Sequence, residues 1–213
     1  GQLGLKCHIF APEADSPAFH VAATHTCADY RDEAALAGFA AAVDAVTYEF
    51  ENVPVEAVQF LERLVPVRPG SKALDVAQDR LKEKALARQL GAATAEFAAV
   101  NTLADLKAAV ATIGTPAILK TTRMGYDGKG QAKIHAPGDV EAAWAAMKGQ
   151  PAILESFVVF EREVSVIAAR GADGRALAYI SNVSQQRELE TRLAQSEKMR
   201  EIGELAAGVA HDF

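Results

Sequence analysis

Short apolar runs alternate with segments of helical period from the first residues to about residue 114, the sequence form of an α/β layer structure. Lys6 to Ala11 reads as a strand. Glu33 to Val43 reads as a helix by its alanine density, Ala45 to Tyr48 as a short strand, Val55 to Leu64 as a helix, and Val65 to Val67 as a strand stopped by Pro69 and Gly70. The succession predicts a βαβαβ rhythm. A charged helix runs from Gln78 to Leu90, where Gly91 supplies the C′ position, and another starts at an Asn101/Thr102 N-cap and ends before Gly114.

Beyond Pro116 the pattern turns strand-like, with strands predicted over Ala117 to Thr121, Gln131 to Ile134 and Ala152 to Phe157, and a helix over Val140 to Met147. Two more strands, Glu163 to Ala169 and Ala176 to Ile180, flank the turn from Arg170 to Gly174. This part is α+β. After Ser181 neither Pro nor a β-rich run occurs, and Leu189, Leu193, Ser196, Met199, Ile202, Leu205 or Ala206, and Val209 keep the three-and-four spacing of a partner helix or coiled coil. A boundary is expected near Tyr179 to Ser184. The chain thus divides into an α/β layer over 1–75, an α+β region over 76–180 and a long amphipathic helix over 181–213.

Composition narrows the classes. The 213 residues carry a net charge of −6, which argues against binding a nucleic-acid polymer, since that affinity rests on clustered Lys and Arg. No run approaches the roughly 18 to 20 apolar residues of a spanning helix, and the first residues lack a signal-peptide pattern. A soluble, cytoplasmic protein is expected. Cys7 and Cys27 have no CxxC spacing and fit a reducing compartment. Cys7, His8, His20, His25 and Cys27 lack the paired spacing of about two to four residues typical of zinc ligands, so no metal site is expected from them.

The segment richest in chemistry runs from Ala117 to Gln131. A strand delivers Lys120, the glycines Gly125, Gly128 and Gly130 allow backbone N–H groups to turn toward an anion, and Lys129 adds a mobile charge. Two readings stand: a loop that closes over phosphates, or a long hairpin turning at Asp127-Gly128. Glu155 and Glu163 sit at ends of apolar strands, where a lone carboxylate is costly to bury.

Asp79 to Lys84, this loop, Leu154 to Val158 and Phe160 to Val166 form an ordered set that resembles the ATP-grasp superfamily. Thr47 to Pro54, Gln78-Asp79-Arg80 and Gly125 to Gln131 together look like its 5-(carboxyamino)imidazole ribonucleotide synthases of purine biosynthesis. That resemblance implies an activity in which ATP activates bicarbonate to carboxyphosphate, whose carboxyl group passes to the amine of aminoimidazole ribonucleotide. It implies that Arg80 and Lys120 contact ATP phosphates. Gly125, Tyr126, Asp127, Gly128, Lys129, Gly130 and Gln131 would form the closing loop. Glu155, Ser156, Phe157 and Val158 would line the adenine pocket, and Glu163 would hold the ribose. Tyr126, Asp127 and Lys129 would also face the ribonucleotide as the catalytic set. Phosphoryl transfer suits such a site, because it is mostly positioning and charge stabilisation.

The family begins with a Gly-rich βα turn and a full helix, whereas Gly1-Gln2-Leu3-Gly4 leads directly into Leu5 to Phe10, so that first strand and helix are expected to be missing. The resemblance is read as far as residue 179. The carboxylate and amide that bind Mg2+ in the family lie beyond that point and have no counterpart here, so ATP binding without turnover is expected. Residues 181–213 instead resemble the connector and H-box of a sensor histidine kinase, Gly203 to Phe213, in which His211 would accept phosphate and Asp212 assist as base. His211 lies half a turn from the apolar seam at Ile202, alongside Arg200 and Glu204. The alternative function is therefore a helical dimerisation and phosphoacceptor module acting as a homodimer, and the whole chain reads as a chimera of two modules.

Overall fold

The structure is a computed structural model describing residues 4–125, 130–171 and 173–184. By its contacts the chain forms two compact units, Gly1–Phe157 and Val158–Phe213.

In the first unit β1 (His8–Ala11) pairs in parallel with β2 (Thr24–Cys27), His8 opposite Thr24. A 3-10 turn, Pro17–His20, joins them, and neither it nor β2 was expected from the sequence pattern. Three helices follow: α1 (Glu33–Ala41), α2 (Val55–Glu62) and α3 (Ser71–Ala77). Leu36 and Phe39 of α1, Val58 and Leu61 of α2, and Leu74 of α3 form one apolar cluster with Val46 and Val67. The strands expected at 45–48 and 65–67 shrink to a single parallel bridge, Val46 to Val67. Its bonds are Val46 N–H to Pro66 O and Arg68 N–H to Val46 O, each 2.9 Å, and Pro66 has no amide with which to extend the ladder.

Helix α4 (Arg80–Gln89) begins two residues later than its charge pattern suggests, because Asp79 caps it, accepting from Leu81 N–H at 2.9 Å and Lys82 N–H at 3.3 Å. Gly91 follows at φ +82°, as a C′ glycine should. Beyond it, β3 (Phe97–Val100), β4 (Ala117–Thr121), β5 (Gln131–Ile134) and β6 (Ala152–Ser156) make an antiparallel sheet in the order β3-β6-β4-β5. Helices α5 (Leu103–Ile113) and α6 (Val140–Ala146) supply Leu106, Val110, Val140 and Ala143 to a second core, which buries Val100, Leu119, Ile134 and Leu154 of the sheet. Strand β3 has no clear signature in the sequence, since its centre is Ala98-Ala99.

Helix α5 starts with a capping box: Asp105 N–H donates to Thr102 Oγ1 at 3.1 Å, and Asp105 accepts from the amides of Thr102 at 2.9 Å and Asn101 at 3.0 Å. The Asn101 amide, then Thr102, hold the Asp105 carboxyl below the usual value of 3.8. A carboxyl lowered by folding contributes stability above its unfolded pKa and loses it as pH falls through the folded one. Asp105→Asn is expected to be less stable than the parent at neutral pH, with the difference smaller in acid below the unfolded value of 3.8. Urea titrations at the two pH values check this; a pH-independent difference would dissociate the cap from acid sensitivity.

In the second unit β7 (Val164–Arg170) and β8 (Ala176–Asn182) form an antiparallel hairpin, Val164 opposite Asn182. Strand β8 runs on to Asn182, into the stretch expected to hold a boundary. The long helix was expected over 181–213; Ser181 and Asn182 belong to β8 instead, and residues 185–213 lie outside the described residues. Cys7 and Cys27 are free and exposed. Among the described residues no helix is long and apolar enough to cross a membrane, and no group of three His, Cys, Asp or Glu could hold a metal ion.

Candidate functional site

Alternation along β4 decides where Lys120 goes. Ala117, Leu119 and Thr121 are buried on the side covered by α5 and α6, so Ile118 and Lys120 face the other way. Lys120 stands opposite Ile153 and Ile118 opposite Glu155, which makes Lys120 and Glu155 diagonal neighbours on that face. Their side chains meet, Lys120 Nζ donating to Glu155 Oε2 at 2.9 Å. The second Glu155 oxygen takes Lys84 Nζ of α4 at 3.4 Å. Glu155 is the buried partner, its side chain 9% exposed. A carboxylate this deep in a strand is tolerated because two ammonium groups compensate it.

Arg80, Lys84 and Arg88 are spaced by four on α4, so they lie along one helix face. Arg88 fastens the chain ahead of β3, donating to Thr94 Oγ1 at 2.8 Å and Ala95 O at 3.2 Å and lying over the Phe97 ring at 4.4 Å. Arg80 fastens the other side: its amide donates to Thr122 O at 3.0 Å and its guanidinium to Gly125 O at 2.8 Å. Gln78, buried, donates from Nε2 to Glu51 O and Val53 O, both at 2.7 Å, and accepts from Arg123. The beginning of α4 is thereby tied both to the 51–53 segment and to the strand exit at 122–125.

Beside these groups lies an open cleft of about 540 Å³, whose lining among the described residues includes Glu51, Arg80, Glu83, Lys84, Lys120, Gly125 and Glu155. Desolvation raises the Glu83 carboxyl above its usual value, and Glu51 and Asp79 push the same way against Arg80 and Lys84. Three cations converging on one sheet face suit an anionic ligand with several charged oxygens.

Strands β4 and β5 are antiparallel neighbours joined across residues 122–130, an arrangement that both readings of this segment share. Thr121 N–H donates to Gly130 O at 2.8 Å, and Gly130 has φ +67°. A Cβ at Gly130 would come to 2.7 Å from Thr121 Oγ1, so this glycine is required by both conformation and space. Gln131 is the first residue of β5, paired with Lys120.

Of the expected site residues, Arg80, Lys120, Gly125 and Glu155 come together in the cleft. Ser156 N–H is bonded to Glu96 O at 2.8 Å and Phe157 N–H to Pro116 O at 3.1 Å, which fixes the end of β6 between its neighbours. Phe157 lines a separate small pocket with Pro116, Ala117, Lys133 and His135. Val158 and Glu163 belong to the second unit, where Glu163 N–H donates to Ser184 Oγ at 2.6 Å. Tyr126, Asp127, Gly128, Lys129, His211 and Asp212 lie outside the described residues. Gln78, Lys84 and Arg123 fall inside the segments that carry the resemblance, but none of them was given a role from the sequence. The spacing of four between Arg80 and Lys84 was the available signal for Lys84.

A ribonucleotide synthetase preATP-grasp model matches residues 1–78, and an ATP-grasp domain model matches residues 85–212. The chain is 46% identical over 177 residues to the N5-carboxyaminoimidazole ribonucleotide synthase of Pseudomonas aeruginosa, covering 83% of this chain and 49% of that one. The synthetase structure from Thermus thermophilus is 41% identical at a TM-score of 0.76, covering 85% of this chain and 49% of that one. The synthase structure from Aspergillus clavatus, in complex with ADP and aminoimidazole ribonucleotide, is 25% identical at a TM-score of 0.75, covering 85% and 48%. The chain spans about half the length of these relatives. With matches that run through both the layer carrying Gln78 and the sheet carrying Lys120 and Glu155, the chain belongs to the ATP-grasp family.

Proposed function

We propose that this chain binds ATP in the cleft between α4 and the sheet, in service of the carboxylation of aminoimidazole ribonucleotide by bicarbonate. The observation that carries the reading is the convergence of Arg80, Lys84 and Lys120 on the cleft that holds the buried Glu155, with Lys120 and Glu155 inside the stretch that the ATP-grasp model matches. Similarity to synthases of N5-carboxyaminoimidazole ribonucleotide supplies the substrate class.

In this reading a bicarbonate oxygen attacks the γ-phosphorus of ATP and ADP leaves, giving carboxyphosphate. The amine of aminoimidazole ribonucleotide then attacks its carbonyl carbon and inorganic phosphate leaves. The chain's part is electrostatic: Arg80 and Lys120 meet charge on the phosphate oxygens, and loop residues 125–131 close over them. Tyr126, Asp127 and Lys129 are assigned to the ribonucleotide, and the end of β6 at Glu155 and Ser156 to adenine. Mg2+ belongs to the family's chemistry, but the described residues offer no donor cluster for it and both Glu155 oxygens are occupied by lysines, so no step is derived through the metal.

The test is phosphate release from ATP by the purified chain, with and without aminoimidazole ribonucleotide and bicarbonate, alongside direct ATP titration. ATP binding is expected, and release stimulated by both substrates would establish the complete reaction on this chain. A chain that binds no ATP at concentrations up to millimolar would overturn the assignment.

A further inference from the structure

Glu155 is held twice, from two different elements. Lys120 of β4 takes Oε2 at 2.9 Å and Lys84 of α4 takes Oε1 at 3.4 Å, while the carboxylate is 9% exposed and the lysines are 25% and 21% exposed. All three side chains line the cleft, the carboxylate being the least exposed of them. If Lys120 is to serve a phosphate oxygen, it must turn away from Glu155, and a buried carboxylate losing its sole cation would oppose that movement strongly. Here a second cation remains, on the other oxygen and anchored in a helix that Asp79 caps and Arg80 and Arg88 fasten.

We propose that Lys84 is a positioning residue that keeps Glu155 compensated while Lys120 moves from the carboxylate to an ATP phosphate. This rests on the assignment of Lys120 to phosphate binding. Lys84 acts through Glu155 and lowers the cost of an exchange. The role requires a positive charge at position 84 and a carboxylate at position 155, and it predicts that the effect of one depends on the other.

A double-mutant cycle on the full chain reads this directly. Lys84→Met is expected to weaken ATP binding in calorimetry by about tenfold, Lys84→Arg to keep it within about threefold, and Lys84→Met on a Glu155→Gln background to have an effect under about twofold. Lys84→Gln serves if the methionine variant does not fold. A second cycle needs no nucleotide: Lys84→Met and Lys120→Met together should lower Tm by more than the sum of the two single losses, because only the pair leaves Glu155 uncompensated. The proposal is overturned if the affinity loss persists without the carboxylate, if Lys84→Met stays within twofold of the parent, or if the Tm losses add. A parent chain that fails to bind ATP refutes the nucleotide assignment itself, before any variant is compared; binding with additive Tm losses refutes the role of Lys84 alone.

Discussion

Replacing Lys120 by methionine is expected to weaken ATP binding by about ten- to a hundredfold while leaving the chain folded. The affinity estimate follows from losing a charge-assisted hydrogen bond of about 1.5–3 kcal/mol, at about 1.4 kcal/mol per tenfold. The fold should tolerate the change for a local reason: the stem of methionine fills the space of the lysine stem, and Glu155 keeps Lys84 at 3.4 Å. Titration calorimetry gives the affinity, and the thermal midpoint confirms that any loss is not unfolding. An unchanged affinity would mean that Lys120 is a structural counter-ion to Glu155 with no hand in the ligand. A collapse of the thermal midpoint would mean that Lys84 contributes little to Glu155.

What the sequence shows of this site, and what it hides, follows from where each piece of information resides. Strands β4 and β5 fall where the pattern puts them, since Ala117–Thr121 alternates buried and part-buried positions and Gln131–Ile134 follows a glycine that only a turn would require. Helix α5 is equally legible, because its start is written in Thr102 and Asp105 and its end in Gly114 at φ +85°. Helix α3 is harder to see: it follows directly on Pro69 and Gly70, and its only buried side chain is Leu74, too little for an apolar stripe. Strand β2 is hidden for a similar reason, being four residues of mostly exposed Thr, His and Cys.

Among the site residues, Lys120 and Glu155 could be suspected one at a time, each as a charge next to an apolar strand. Their pairing could not, since it depends on the register that sets Lys120 opposite Ile153 and so diagonal to Glu155. Lys84 needs one step more, the placement of α4 over the exposed face of the sheet, which no local pattern fixes. The 45–48 and 65–67 strands show the converse. Their residues do pair, but Pro66, whose carbonyl takes part in the bridge, has no amide to donate the next bond.

Gln78 is the position where the largest loss of stability is expected, because one side chain serves three otherwise distant segments. It is 4% exposed; its amide nitrogen satisfies two backbone carbonyls, Glu51 and Val53, and its oxygen receives Arg123. Gln78→Leu has nearly the right volume and none of the bonds, so it would strand the buried carbonyl of Val53 and release the more exposed Glu51 carbonyl and Arg123 guanidinium to water. At about 1–3 kcal/mol for one buried acceptor left unsatisfied, and about 0.5–1.5 kcal/mol for each of the two part-buried bonds lost, the net cost should be about 3 kcal/mol. For a chain of this size that corresponds to a Tm lower by about 6–12 °C. Arg123→Ala should cost less, since Gln78 would keep both carbonyls and lose only an oxygen partner. The contrast separates clamping of the 51–53 segment from holding of the strand exit at Arg123. Equal losses in the two variants would place the stabilising interaction in the Arg123 contact. A Gln78→Leu midpoint within about 2 °C of the parent would mean that water replaces the clamp. If the clamp holds as described, the variant should also weaken ATP binding without touching the ligand, because the segment it releases carries Glu51, which lines the cleft, and the helix it anchors carries Arg80 and Lys84.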